Sequence, residues 1–225
     1  MSERAGIRSP RVILNPTAGR VRLYPCVVDD LLAFPGAELC RTRGPGHAVQ
    51  LAEEAARDGR SAVVVAGGDG TVQEAVNGLA RADGSLRDVA VGLVPLGTGN
   101  DLARSLGVPL DPHEALEPLS GGRLRRVDLL RARVSGRERV LANIAIGGAA
   151  GDIADRVTPE LRRRWGGLVY LRAFVAELPA LRRYRARLVV DGEELPPSRL
   201  MAVAVANGRW LGHGIPAAPR AEVDD

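Results

Sequence analysis

Four short apolar runs in the first hundred residues, at 11–14, 37–42, 61–66 and 89–95, each give way to a helical pattern, and this alternation is the feature that most limits the fold. In HAVQLAEEAAR (47–57) and TVQEAVNGLAR (71–81) the apolar residues recur at intervals of three and four, which lays one helix face on a core. Strands alternating with such helices predict an α/β fold with a doubly wound parallel sheet. Runs that are apolar throughout suit a sheet covered on both faces. After residue 107 the alternation stops. A Pro-flanked helix at 111–119 leads to strands at 126–134 and 140–146, then helical segments at 152–164 and 168–182. Strands at 185–190 and 200–206 flank Asp191-Gly192, a hairpin turn signal. This divides the chain into an α/β domain at 1–124 and a β-rich domain at 125–225.

All 31 basic residues are arginine, so mechanisms that need a lysine are excluded. A Walker A loop, a protein-kinase nucleotide strand and Schiff-base chemistry all depend on one. The excess over 27 acidic residues is only +4, and seven aromatics offer little surface for stacking bases, so nucleic acid is not an expected partner. Cys26 and Cys40 have neither metal-ligand nor disulfide-framework spacing, which fits a reducing cytosol. Apolar runs such as 200–206 fall far short of the roughly 18 residues of a membrane span. A soluble or peripheral protein is expected.

The third strand ends in Gly67-Gly68-Asp69-Gly70-Thr71 and the fourth in Pro95-Leu96-Gly97-Thr98-Gly99-Asn100-Asp101, each running straight into a helix. Glycines let backbone N–H groups come close to a ligand, and the first turn of a helix attracts an anion, so phosphate is the expected occupant. Asp69 reads either as a helix cap or as a carboxylate working with Mg²⁺ beside the phosphates. Thr98 and Asp101 read as ligands or as caps. Asn15-Pro16-Thr17-Ala18-Gly19 closes the first strand and Thr42-Arg43-Gly44-Pro45-Gly46-His47 the second, at the same edge of the sheet. Without lysine, Arg43 and Arg20 are the expected cations for polyphosphate charge. His47, His113 and His213 match no metal motif and read as loop or cap residues.

With NPTAG at 15–19, GGDGT at 67–71 followed by Glu74 and Asn77-Gly78, PLGTGND at 95–101, VDL at 127–129 and ANG at 206–208 ahead of the final Asp-Asp, the chain resembles the catalytic domain of the diacylglycerol kinase and sphingosine kinase superfamily, in particular its soluble bacterial lipid kinases. The resemblance implies ATP-dependent transfer of the γ-phosphate to a lipid hydroxyl, such as that of diacylglycerol, in a cytoplasmic enzyme that meets the membrane peripherally. It implies nucleotide contacts at Asn15, Pro16, Thr17, Ala18, Gly19, Thr42, Gly68, Asp69, Gly70, Thr71, Val72, Gln73, Glu74 and Thr98, with Gln73 standing where the family usually has Asn. It also implies a Mg²⁺ held by Asp225 and by the Glu222 carbonyl. The alternatives are an NAD kinase, which shares GGDGT, and a nucleotide- or lipid-binding protein without catalysis.

Nothing in the sequence corresponds to the family's catalytic acidic residues, so the second domain is expected to be cut short at its C-terminal end and transfer to be poor. Asp69 and Asp101 remain the catalytic candidates. Exposed strand edges make self-association, up to a homodimer, a companion expectation. Between 161 and 181, Leu161, Trp165, Leu168, Leu171, Phe174, Val175, Leu178 and Leu181 follow helical spacing among several arginines. That stretch reads as a core-facing helix or as a basic amphipathic surface for anionic lipid.

Overall fold

The computed structural model describes residue 7 and residues 9–82, 85–148 and 183–225. The described residues fall into two compact units, one of 1–143 with 207–225 and the other of 144–206.

The first unit is built on β1 (Arg11–Leu14), α1 (Val27–Leu32), β2 (Glu38–Arg41), α2 (His47–Arg57), β3 (Ala62–Gly67), α3 (Asp69–Arg81), α4 (Ser85–Asp88), β4 (Ala90–Pro95), α5 (Asp101–Ser105) and α6 (Glu117–Gly121). The four strands form one sheet in the order β2-β1-β3-β4, every pairing parallel. The period of two along each strand explains why the runs are apolar throughout. Ile13, Val63, Val65 and Leu93 turn to one face, against Leu51, Ala52 and Ala55 of α2 and Val72, Val76 and Leu79 of α3. Val12, Leu14, Val64, Ala66 and Val94 turn to the other, against Val27 and Leu31 of α1 and Leu119 of α6. Val63, Val64 and Val65 are each fully buried, and each such side chain contributes about 1.5–3 kcal/mol. This is the doubly wound sheet expected from the alternation.

At the amino end of the sheet the buried Arg11 guanidinium pairs with Glu38 at 2.9 Å and Asp58 at 2.8 Å. Desolvation opposes its charge, but the hydrogen bond and charge of Glu38 and the hydrogen bond of Asp58 outweigh it and the pKa rises. The cluster satisfies a charge on a central strand, at the end away from the glycine loops.

Beyond the sheet, β5 (Leu130–Val134) and β6 (Arg137–Leu141) form an antiparallel hairpin. The strand expected at 140–146 is broken. Leu141 ends β6, and β7 (Ile144–Gly148) belongs to the other unit. The backbone between them is taken elsewhere: Ala142 N–H donates to the Gln73 side chain at 3.2 Å, and the Asn143 carbonyl accepts from Asn207 and Gly208 at 2.7 and 3.1 Å.

In the second unit β8 (Tyr184–Ala186), β9 (Val189–Val190), β10 (Glu193–Glu194), β11 (Ser198–Leu200) and β12 (Ala202–Ala206) follow. The Asp191-Gly192 turn is present, both residues at positive φ, but it joins only the short β9 and β10. The run expected as one strand at 200–206 splits at Met201: β11 pairs with β8, and β12 with β7. The chain then returns to the first unit as β13 (Trp210–Leu211) and β14 (Ile215–Pro216). The helical segments expected at 152–164 and 168–182, and with them the amphipathic stretch at 161–181, lie outside the described residues. No helix among the described residues is long and apolar enough to cross a membrane.

Candidate functional site

In the order β2-β1-β3-β4 the chain reverses direction across the sheet between β1 and β3, and the crevice outside the carboxyl ends of such strands is where open α/β sheets bind ligands. The loops after β1, β3 and β4 meet there. Asn15 ties the first two together, its Nδ2 donating to Thr71 Oγ1 at 3.0 Å while its Oδ1 accepts from the Thr17 N–H and hydroxyl at 3.0 and 2.9 Å. Gly19 abuts the Thr98 side chain, and Arg20 N–H donates to the Leu96 carbonyl at 2.8 Å. Gly68 and Gly97 pack backbone to backbone: a Cβ on Gly68 would lie 3.0 Å from the Gly97 Cα. Side chains at either position would separate the loops.

Helix α3 begins at Asp69, inside the glycine motif and two residues ahead of the expected start. Gly68 supplies no side-chain cap, and the Asp69 and Gly70 N–H groups of the first turn have no acceptor among the described residues. Gly70 is exposed, with nothing within 4 Å of where its Cβ would be. Open donors at a helix start, facing free space, are suited to an anion.

The two acidic candidates are held differently. Asp69 Oδ1 accepts the Leu102 N–H at 3.0 Å, capping α5, and its Oδ2 accepts nothing among the described residues. Asp101, only 6% exposed, accepts Gly214 N–H on Oδ1 at 2.8 Å and His213 N–H on Oδ2 at 3.2 Å. Those donors belong to the β13–β14 turn, where Gly212, His213 and Gly214 all have positive φ. The carboxylates flank Gly99, whose Cβ would lie 3.0 Å from Asp69 Oδ2 and 3.4 Å from Asp101 Oδ2. Asp101 is thus a fastener between the fourth loop and the returning segment, and Asp69 keeps one oxygen open toward the crevice. Asn100, at φ 54° and 5% exposed, donates to the Gly97 carbonyl at 2.9 Å, and its Oδ1 is buried without a partner.

Other sequence candidates are engaged in the scaffold. Glu74 accepts from Gly46 N–H at 2.9 Å and Ala48 N–H at 3.3 Å, capping α2 and fixing the Thr42–His47 loop to α3. Gln73 clamps β6, its Nε2 donating to the Val140 carbonyl and its Oε1 accepting Ala142 N–H. Asn77 repeats the clamp one turn on, with Val140 N–H and carbonyl at 3.1 and 2.8 Å. Val72 is in the core. Arg20 is taken up by the Leu110 carbonyl at 2.9 Å and the Tyr24 hydroxyl at 2.6 Å. Arg43 donates its backbone N–H to His47 Nδ1 at 3.0 Å, while its exposed guanidinium has no partner among the described residues and is available to an anion. Sequence reasoning missed the Asp101 fastening and the double amide clamp, since both depend on partners over sixty residues away.

A divalent cation beside phosphates needs only one or two carboxylates, the phosphate oxygens supplying the rest, and the open Asp69 oxygen fits that demand. The final turn is different. Glu222 and Asp225 are exposed, while Asp224 is paired with Arg125 at 2.5 Å, a bond that holds its carboxyl below the usual range. No three His, Cys, Asp or Glu side chains converge among the described residues, so 222–225 does not form a cation cage by itself.

Residues 9–132 match the diacylglycerol kinase catalytic domain family, and residues 143–225 match the YegS C-terminal NAD kinase beta sandwich-like domain. A protein of Xanthomonas euvesicatoria pv. vesicatoria named probable lipid kinase YegS-like is 35% identical over 182 residues, covering 80% of this chain and 58% of the relative. One of the same name from Chromohalobacter salexigens is 37% identical over 181 residues, covering 80% of this chain and 56% of the relative. The crystal structure of a diacylglycerol kinase from Bacillus anthracis str. Sterne superposes with a TM-score of 0.73 at 28% identity, covering 98% of this chain and 71% of that one. The chain therefore spans under two thirds of the length of these curated relatives.

Proposed function

The chain belongs to the diacylglycerol kinase catalytic domain family, and from that premise we propose that it binds ATP with a divalent cation, Mg²⁺, at the β1/β3 crevice and transfers the γ-phosphate to a lipid hydroxyl, diacylglycerol being the first candidate. The observation that carries this reading is the open first turn of α3 beside an Asp69 oxygen with no donor, at the point where three loops meet. Nucleotide binding is assigned to residues 1–124 and lipid contact to 125–225.

Phosphoryl transfer asks the protein mainly for position and charge compensation. The Asp69 and Gly70 N–H groups would receive phosphate oxygens, with Asn15–Gly19, Thr42, Thr71 and Thr98 bordering the nucleotide. Arg43 supplies the cation that lysine provides elsewhere. A bound metal would neutralise charge on the phosphates, and Asp69, with its open oxygen, is the carboxylate that would hold it. Asp69 is also favoured over Asp101 for any proton transfer, because the fastening of Asp101 occupies both its oxygens. The Asp225 carboxylate and the Glu222 carbonyl remain the proposal for a second cation, at a turn where no three acidic, His or Cys side chains converge among the described residues.

The experiment is transfer of labelled phosphate from ATP to a panel of lipids, with NAD as a separate acceptor. Product on diacylglycerol or a related lipid supports the reading. Product on NAD alone would replace it with the NAD-kinase alternative, and nucleotide binding without any product would support a binding protein.

A further inference from the structure

Within residues 123–139 stand seven arginines and two acidic residues, a local excess of five that exceeds the +4 of the entire chain. Most of this charge is carried by the β5–β6 hairpin. On one of its faces Arg131 and Arg133 share a single acid, Glu138, at 3.3 and 3.0 Å. The cross-strand register puts Val134 opposite Arg137 and Ala132 opposite Arg139 on the other face. There Arg137 and Arg139 are exposed and pair with nothing among the described residues. Val134, just before the Ser135-Gly136 turn, is 70% exposed. An apolar tip flanked by unpaired guanidiniums joins the two features that an anionic interface takes up together.

The root of the hairpin is fixed. Val140, only 8% exposed, is held by Asn77 and Gln73 on the turns of α3 that follow Asp69. A rigid helix therefore joins the hairpin to the open end of the candidate site.

We propose that the β5–β6 hairpin is a docking surface for an anionic lipid bilayer, with Arg137 and Arg139 on the headgroups and Val134 at the interface. Charge complementarity selects the anionic surface, and the exposed apolar tip selects a bilayer over a purely ionic partner. The inference rests on the lipid-kinase reading only for the expectation that a bilayer is presented to the protein.

The test is co-sedimentation of the 225-residue chain with phosphatidylcholine vesicles that contain or lack phosphatidylglycerol. Binding is expected only with phosphatidylglycerol and should weaken with salt. Each arginine near such a surface is worth about 1 kcal/mol, roughly fivefold, so Arg137→Ala with Arg139→Ala should lose about 25-fold. Val134→Asp should weaken binding too, and unchanged melting temperatures would confirm that these variants fold. Wild-type chain that ignores the vesicles, or folded variants that bind equally well, would overturn the proposal. So would tighter binding of the wild type to an oligonucleotide, lost in the double variant. Phosphorylation of a dispersed short-chain diacylglycerol by the wild type, run in parallel, tests the lipid-kinase reading separately from vesicle binding.

Discussion

Replacing Asp101 with asparagine should separate the fastening carboxylate from the one that faces the ligand. Asp101 accepts two backbone N–H groups, from His213 and Gly214, at a position only 6% exposed. Hydrogen bonds to a charged acceptor contribute about 1.5–3 kcal/mol each. An asparagine can accept one of them, but its NH₂ then faces the other donor, so the expected loss is about 2–3 kcal/mol. For a chain of this size that lowers the melting temperature by about 4–12 °C. Asp69→Asn keeps the oxygen that caps α5, and the other oxygen has no donor to lose, so its stability should change by less than about 1 kcal/mol. Mg²⁺-dependent ATP affinity should follow the opposite order, falling strongly in Asp69→Asn. The assay is a thermal melt of both variants beside calorimetry with ATP and Mg²⁺. The assignment would be refuted by Asp101→Asn melting with the wild type while losing the nucleotide, or by Asp69→Asn unfolding early while binding normally.

Other substitutions test the same scaffold. Gly97→Ala places a Cβ against the Gly68 Cα and 2.7 Å from the Asn100 Oδ1, so we expect a loss of about 1–3 kcal/mol together with weaker ATP binding; a normal melt would mean that the loops part freely. Asn77→Ala deprives the Val140 backbone of a side-chain partner and should cost about 1–3 kcal/mol, with faster hydrogen exchange at Val140 as the direct readout. The Arg125 bond holds the Asp224 carboxyl below its ordinary value, so its stabilisation is present above the unfolded pKa of about 4 and is lost as pH falls through the folded value. Wild type and Arg125→Ala should therefore differ slightly at neutral pH and converge in acid, and a difference that grew in acid would contradict the sign. Both residues are exposed, so added salt should shrink the neutral difference.

The sheet was legible because its signals are local. Runs apolar throughout, and the apolar stripes of α2 and α3, marked the four strands and these two helices within two residues and pointed to a parallel sheet, whereas the order β2-β1-β3-β4 and the bounds of α1 were not read from the sequence. What the sequence did not reveal came from distant partners. The break at Ala142-Asn143 depends on Gln73 and on the 207–208 backbone, and β12 pairs with β7 instead of the nearer 185–190 run. The glycine loops were readable as an anion site, but not the division between their acids. Asp69 and Asp101 look alike in GGDGT and GTGND, and only the β13–β14 turn shows that one is fully bonded.

Gly70 offers the most direct test of the nucleotide site. A Cβ there meets nothing within 4 Å, whereas one on Gly68 would press on Gly97 and confuse ligand loss with damage to the loops. Gly70→Val should leave the fold unchanged and fill only the space in front of the α3 donors. Calorimetry of ATP with Mg²⁺ on the wild type and Gly70→Val, with melting temperatures alongside, is the deciding measurement. Equal melts and lost ATP binding in the variant are expected, and Gly70→Val that binds ATP as tightly as the wild type would contradict a nucleotide at the start of α3.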